Sequence, residues 1–259
     1  MAKQAGIAYE DRGGGDVTLL LVHGWQGDRS VWDGVVAELG PGVRTIAVDL
    51  PGFGGSSTLT GPYNLDRFAA ELRALLESLG TGPVVAVGHS MGAKVALRLA
   101  IEAPAMVRGL VLVAPVPIGP AGFSEKGQAY LRATAGDPVR LRAWLAKTIA
   151  DPPDDATLDR LCAIAAKSPP GAVLECLEAW MHADLAEPAK RVVAPAVVIA
   201  SAQDAPERAH SNVAALLPDA RFVVVPDAAH YAILERPGAI ASHIGDFVAA
   251  LPKDGDRHE

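Results

Sequence analysis

Cysteine is almost missing from this sequence: two occur in 259 residues, Cys162 and Cys176. Both fall in stretches with helical patterning, and their spacing fits neither a zinc site nor a dithiol redox motif. They read as reduced packing residues, which excludes a disulfide-stapled scaffold. Basic runs are missing too. A formal charge of −7 with no cluster of lysine or arginine excludes the patch that nucleic acid or an anionic membrane surface requires. No uninterrupted apolar segment is long enough to span a bilayer, and the opening stretch MAKQAGIAYEDRGGGD lacks the apolar core of a signal peptide. These absences predict a cytoplasmic protein with no nucleic-acid partner and no membrane partner. Internal repeats and low-complexity segments are absent as well. What is present is a globular composition, 50% hydrophobic and 20% charged, in a length that suits one large α/β domain or two small ones.

Short apolar runs alternate with helical patterns along the chain. Leu19–Val22, Thr45–Val48, Val84–Val87, Leu110–Val113, Ala196–Ala200 and Phe222–Val225 read as buried strands of a parallel sheet with crossover helices. Ile7–Glu10, before the turn Gly13-Gly14-Gly15, reads as a short antiparallel strand at the edge. The rhythm breaks between Pro115 and Val192, where no strand pattern occurs. Helix start signals appear there instead, at Asp137-Pro138, Asp151-Pro152-Pro153-Asp154 and Ser168-Pro169-Pro170. The expected organisation is a core of residues 1–115 and 191–259, with a helical cap inserted at residues 116–190.

The stretch VVAVGHSMGAKVALRLA, Val84–Ala100, joins a strand pattern to a helix pattern through Gly88-His89-Ser90-Met91-Gly92. This G-x-S-x-G arrangement fits a nucleophile elbow. A serine on so sharp a turn takes a strained backbone, and the flanking glycines let neighbouring elements come close. The serine hydroxyl then stands exposed at a helix start, where backbone N–H groups can face a developing oxyanion. In an open α/β sheet, ligands bind beyond the carboxyl ends of the strands. The other strand ends carry His23-Gly24-Trp25, then Asp49 with Gly52–Gly55, then Asp204, then Asp227-Ala228-Ala229-His230. A serine, a carboxylate and a histidine therefore share one edge, in the order Ser90, Asp204, His230. A serine hydroxyl needs a neighbouring base, histidine suits that task near neutrality, and a buried carboxylate holds the imidazole in its working tautomer.

Here the chain resembles the α/β-hydrolase fold superfamily, in the manner of its serine esterases and enol-lactonases. The blocks LLLVHGWQGDRSVW, AVDLPGFGGSS, VGHSMGAKVAL and VVVPDAAHYAILERP carry the likeness, which extends over nearly all the chain outside the helical insertion. The resemblance implies an α/β fold with a mostly parallel central sheet, helices on both faces and a helical cap. It implies Ser90 as nucleophile and His230 as base. His89 is expected to point away across the turn, His23 to brace the oxyanion loop, and His182, His210, His243 and His258 to lie elsewhere. Asp204 matches the usual acid position. Asp227 is the competing carboxylate, too near His230 in sequence for an easy side-on hydrogen bond. Two departures from the family pattern bear on loop shape: Ser201 stands where glycine is common, and Asp227-Ala228-Ala229 replaces a glycine-rich approach to the histidine. The oxyanion hole is then the N–H of Met91 with that of Trp25. Asp49 and Gly52–Gly55 are expected to shape a turn, since no lysine follows in P-loop register.

The implied activity is hydrolysis of a carboxylic ester or lactone through an acyl-enzyme, with a small-molecule substrate and neither metal nor organic cofactor. A monomer or homodimer is expected. Phe123, Tyr130, Trp144, Trp180 and Met181 put aromatic and soft apolar surface in the insertion. The substrate-binding residues are expected to be Trp25, Trp180 and Met181, although Trp25 reads equally as pocket wall or core. A non-hydrolytic, lyase-type enzyme using the same three residues is one rival. A non-catalytic binding protein on this fold is the other.

Overall fold

The computed structural model describes residues 6–40, 42–150, 154–204 and 207–252. The first residues of the opening stretch, Asp151-Pro152-Pro153 and His258 lie outside them. Strands β1 (Tyr9–Arg12), β2 (Val17–Val22), β3 (Val43–Val48), β4 (Val84–His89), β5 (Val107–Val113), β6 (Ala196–Ser201) and β7 (Ala220–Val225) form one sheet in the order β1-β3-β2-β4-β5-β6-β7. All neighbouring pairs are parallel except β1 with β3. Each apolar run read from the sequence lies inside one of these strands. The antiparallel edge strand is displaced towards its C-terminal side, and the cause is local. The Ala8 N–H donates to Ser56 Oγ and the Ala8 carbonyl accepts from Asp49 N–H, so this residue ties down the loop after β3 before the ladder begins.

Side chains alternate across the sheet and split the core into two layers. Leu20, Val22, Ala86, Leu112 and Val198 face helices α2 (Leu65–Leu79), α3 (Met91–Glu102) and α9 (Glu207–Ala215). Leu19, Leu21, Val85, Val87 and Ile199 face α1 (Asp33–Glu38) and α11 (Pro237–Ala250). A Val, Leu or Ile buried in this way stabilises the fold by roughly 1.5–3 kcal/mol. The central strands are covered on both faces, which is why they read as continuous apolar runs.

The link from β5 to β6 is helical: α4 (Glu125–Arg132), α5 (Pro138–Leu145), α6 (Asp155–Ala165), α7 (Pro170–His182) and α8 (Ala186–Ala189). Asp137 and Asp154 cap α5 and α6 with their carboxylates, and Pro170 opens α7. Ser124 caps α4, a helix that no proline announces. Cys162 lies on α6 and Cys176 on α7, both as free thiols. Cys176 is buried against the Met91 sulfur at 3.1 Å, and burial pushes its thiol far above the usual range. Among the described residues no helix is long and apolar enough to cross a membrane.

Candidate active site

Ser90 occupies the junction of β4 and α3 with φ +56° and ψ −120°. A positive φ at a non-glycine residue costs on the order of 1–3 kcal/mol and persists only where its surroundings hold it. Here the Ser90 N–H donates to the Val113 carbonyl at 2.9 Å, and the Ser90 carbonyl accepts from Ala93 N–H at 3.1 Å. Both motif glycines are required by contact. A Cβ on Gly88 would strike the backbone of Gly92, and one on Gly92 would strike the carbonyl oxygens of Val22 and His23. The sequence pattern thus marks a place where β2, β4 and α3 approach closer than any side chain allows.

Ser90, His230 and Asp204 converge. His230 Nε2 lies 2.9 Å from Ser90 Oγ, and His230 Nδ1 lies 2.9 Å from Asp204 Oδ2. The loops that carry the acid and the histidine are laced together: Ala202 N–H donates to Val225 O at 3.0 Å, and Gln203 N–H to Ala228 O at 2.9 Å. Asp227 is exposed and takes no part in this chain. Its φ of +51° is one that glycine adopts freely, so it supplies the turn for which the resemblance expects glycine. Glu235, unmarked in the sequence, anchors the histidine loop by accepting from Ala229 N–H at 3.0 Å and Ala150 N–H at 2.6 Å. The His230 N–H in turn donates to Thr148 O at 3.0 Å.

Two histidines are placed differently from expectation. His89 does not point away. Its Nε2 reaches the His230 carbonyl at 2.7 Å, and its ring packs against those of His230 and Tyr231. An imidazole buried between the elbow and the Gly24 loop finds no room in solvent, so it packs beneath the histidine loop instead. Burial, reinforced by His230, pushes its pKa down to about 3, which leaves His89 neutral. His210 belongs to the site although sequence reading set it aside. It is buried on α9, and its Nε2 lies 3.6 Å from Asp204 Oδ2. Burial lowers its pKa, with the Asp204 charge opposing the shift. The available signal was helical spacing, for His210 and Val213, three residues apart on α9, are both buried.

The loop after β2 runs alongside Ser90: a Cβ on Gly24 would lie 3.1 Å from Ser90 Cβ. His23 fixes this loop as a neutral imidazole. Its Nδ1–H donates to Gly24 O at 2.8 Å, and its Nε2 accepts from Leu50 N–H at 3.0 Å. Burial lowers the pKa of His23, consistent with that tautomer. The buried Asp49 carboxylate accepts from Arg29 and from Gly55 N–H, shaping the turn after β3. The backbone N–H groups of Trp25 and Met91 have no hydrogen-bond acceptor among the described residues.

A cavity of about 500 Å³ opens over Ser90, His230, Asp204 and His210. Its remaining walls come mainly from the helical segment, through Phe123, Tyr130, Leu131, Trp144 and Trp180. Of the three residues expected to contact substrate by side chain, only Trp180 lines this cavity. Trp25 packs edge-on against Trp144 and Trp180, with centroids 5.5 and 6.3 Å away, and donates its indole N–H to Val173 O at 2.9 Å. It ties the loop after β2 to α7. Met181 is buried in the core, its carbonyl accepting from Ala121 N–H at 2.8 Å. Among the described residues no group of three or more histidine, cysteine or acidic side chains is placed to hold a metal ion.

The sequence model of the alpha/beta hydrolase family matches residues 19–243. A pimeloyl-acyl-carrier-protein methyl ester esterase of Nitrosomonas europaea is 30% identical, with 92% of this chain and 98% of that one aligned. A dihydrolipoyllysine-residue acetyltransferase component of an acetoin cleaving system, from Cupriavidus necator, is 36% identical over 46% of this chain; the chain spans only 33% of that protein's length. Among solved structures, a thermophilic esterase from Thermogutta terrifontis superposes with a TM-score of 0.84 at 26% identity, over 94% of this chain and 93% of that one.

Proposed function

The chain belongs to the alpha/beta hydrolase family, and on that premise we propose that it is a serine hydrolase cleaving a carboxylic ester or lactone through an acyl-enzyme. The observation that carries the reading is the run of two 2.9 Å hydrogen-bonding distances, from Ser90 Oγ through His230 to Asp204, opening into an apolar cavity. Ser90 Oγ attacks the substrate carbonyl while His230 Nε2 takes its proton. Asp204 holds the imidazole by Nδ1–H and stabilises the imidazolium. The N–H groups of Met91 and Trp25 face the oxyanion. Collapse breaks the bond to the alcohol oxygen, which receives the proton from His230. Water, deprotonated by the same imidazole, then attacks the Ser90 ester, and the acid leaves as Ser90 regains its hydrogen. With a lactone, the departing hydroxyl stays on the acyl group.

The helical segment of residues 116–190 acts as the lid, since it supplies the aromatic walls. Among the described residues, no lysine or arginine lines the cavity. A neutral ester with an apolar acyl or alcohol group of modest size fits this surface better than an anionic one. Trp180 sets the room for that group, so Trp180→Ala should alter acyl-length preference by a few-fold per carbon, following ~0.8 kcal/mol per buried methylene.

The test is a panel of acetyl, butyryl and octanoyl esters with a simple lactone, run on wild type and Ser90→Ala. Wild type should turn over at least one of them, and the variant should lose roughly 10³-fold or more in kcat. A variant that keeps over a tenth of wild-type kcat overturns the assignment.

A further inference from the structure

Lys94, on the helix that begins beside Ser90, takes no part in the chemistry above. It is 1% exposed, and its Nζ donates to three backbone carbonyls: Gly119 at 2.9 Å, Trp180 at 3.0 Å and Ala183 at 2.7 Å. An ammonium has three N–H donors, and each is engaged. Gly119 lies where the chain enters the helical segment after β5. Trp180 lies in the last turn of α7, and Ala183 is its C-cap. Carbonyls at a helix C-terminus lack intrahelical partners and carry the negative end of the dipole, so a cation suits them. One side chain of α3 therefore fastens both ends of the lid to the core.

Trp180 depends on such an anchor. Its indole N–H has no partner among the described residues, whereas the Trp25 indole is fixed on Val173 O. The Trp180 ring is held by edge-on packing against Trp25 and Phe123 and by the position of its own backbone. That ring is a wall of the cavity over Ser90. We propose that Lys94 is a positioning residue for substrate selection: its ammonium fixes the backbone at Trp180 and thereby the width of the cavity beside Ser90.

The anchor is sensitive to proton loss. Burial lowers the Lys94 pKa from 10.5 to about 8, against the opposing charge of Asp184. Other charged groups on the surrounding helices are paired elsewhere: Asp66 with Arg98, Glu187 with Lys190, and Glu178 with Arg132 and His182. A neutral amine offers two N–H groups to three carbonyls, so deprotonation loosens the anchor. The effect on stability has the opposite sign. Between about 8 and 10.5 the unfolded chain binds more of this proton than the folded one, so the contribution of Lys94 to stability rises across that window. Selection should therefore change near pH 8 without a loss of Tm caused by this group.

The experiment measures the octanoyl-to-butyryl ratio of kcat/KM from pH 6.5 to 9.5, with Tm and tryptophan emission at each pH. Wild type, Lys94→Met, Trp180→Ala and the double variant are compared. The ratio cancels the pH dependence of acid–base groups that both esters share. The wild-type ratio should shift by about threefold across pH 8, a change of the size that one methylene's burial gives. Lys94→Met should stay at the shifted value at every pH. In the Trp180→Ala background, neither pH nor Lys94→Met should move the ratio. A flat wild-type ratio, or a Lys94→Met effect undiminished without the Trp180 ring, overturns the proposal. If Lys94→Met does not fold, the wild-type titration alone decides. The kinetic arm rests on the ester-hydrolase reading. Should no ester be turned over, that reading fails while the emission of the unliganded protein still tests the lysine: a transition near pH 8 supports the anchor, and a flat signal removes it.

Discussion

Which carboxylate serves His230 is decided by position and not by nearness in sequence. Asp204 lies 2.9 Å from His230 Nδ1 across two laced loops, while Asp227, close by in sequence, faces solvent and shapes a turn. Asp204→Asn should lower kcat/KM by about 10³–10⁴-fold, because an amide favours the wrong imidazole tautomer and cannot stabilise the imidazolium. Asp227→Asn should change it by less than about twofold, since asparagine also tolerates positive φ. Steady-state kinetics on both variants checks this, and a reversed order refutes the assignment. The positions of Ser90, Asp204 and His230 were legible because each lies in the segment that leaves the carboxyl end of a strand. His89 was misjudged and Glu235 missed for one reason. Both act on the backbone of the loop carrying His230, and no spacing rule reports a partner brought near only by the sheet.

Glycines separate two kinds of element. Gly92, at the start of α3, sits against the carbonyls of Val22 and His23, and any added carbon must push β2 and α3 apart. Gly92→Ala should therefore lower stability by about 1–3 kcal/mol, as overpacking does, and depress activity with it. Gly171, in α7, is exposed and would meet nothing with an added Cβ. Gly171→Ala should raise stability by about 0.5–1 kcal/mol through helix propensity and leave turnover unchanged. Urea unfolding of the two variants beside wild type measures both; equal effects would show that close approach does not govern the elbow. The central strands were the easiest elements to read, since burial on both faces makes them continuous apolar runs. Helices α5, α6 and α7 were announced by their capping aspartates and prolines. The way they pack was not, because it rests on contacts such as Trp25 with Val173 and Lys94 with Trp180.

At the scale of the whole molecule, three buried histidines among the described residues have pKa values lowered from 6.5 in the fold: His23, His89 and His210. Below that value the unfolded chain binds more protons than the folded one, so acid favours unfolding. Their stabilising effect is complete above about pH 6.5 and is lost as pH falls from there, towards about 3 for His89. Urea midpoints between pH 8 and 4.5 should fall less steeply in His89→Gln than in wild type, and parallel curves would contradict this. The three histidines lie along the same strand-end edge as Ser90, so the neutral state that stabilises the fold also keeps the two loops and the elbow in register. The central claim, that Ser90 is the nucleophile of an acyl-transfer site, is tested most directly by intact-mass measurement after treatment with a fluorophosphonate. One phosphonyl adduct per chain is expected, mapped to the peptide containing Ser90, with none on Ser90→Ala. An unlabelled wild-type protein that still hydrolyses esters, or an adduct that persists in Ser90→Ala, would contradict the account.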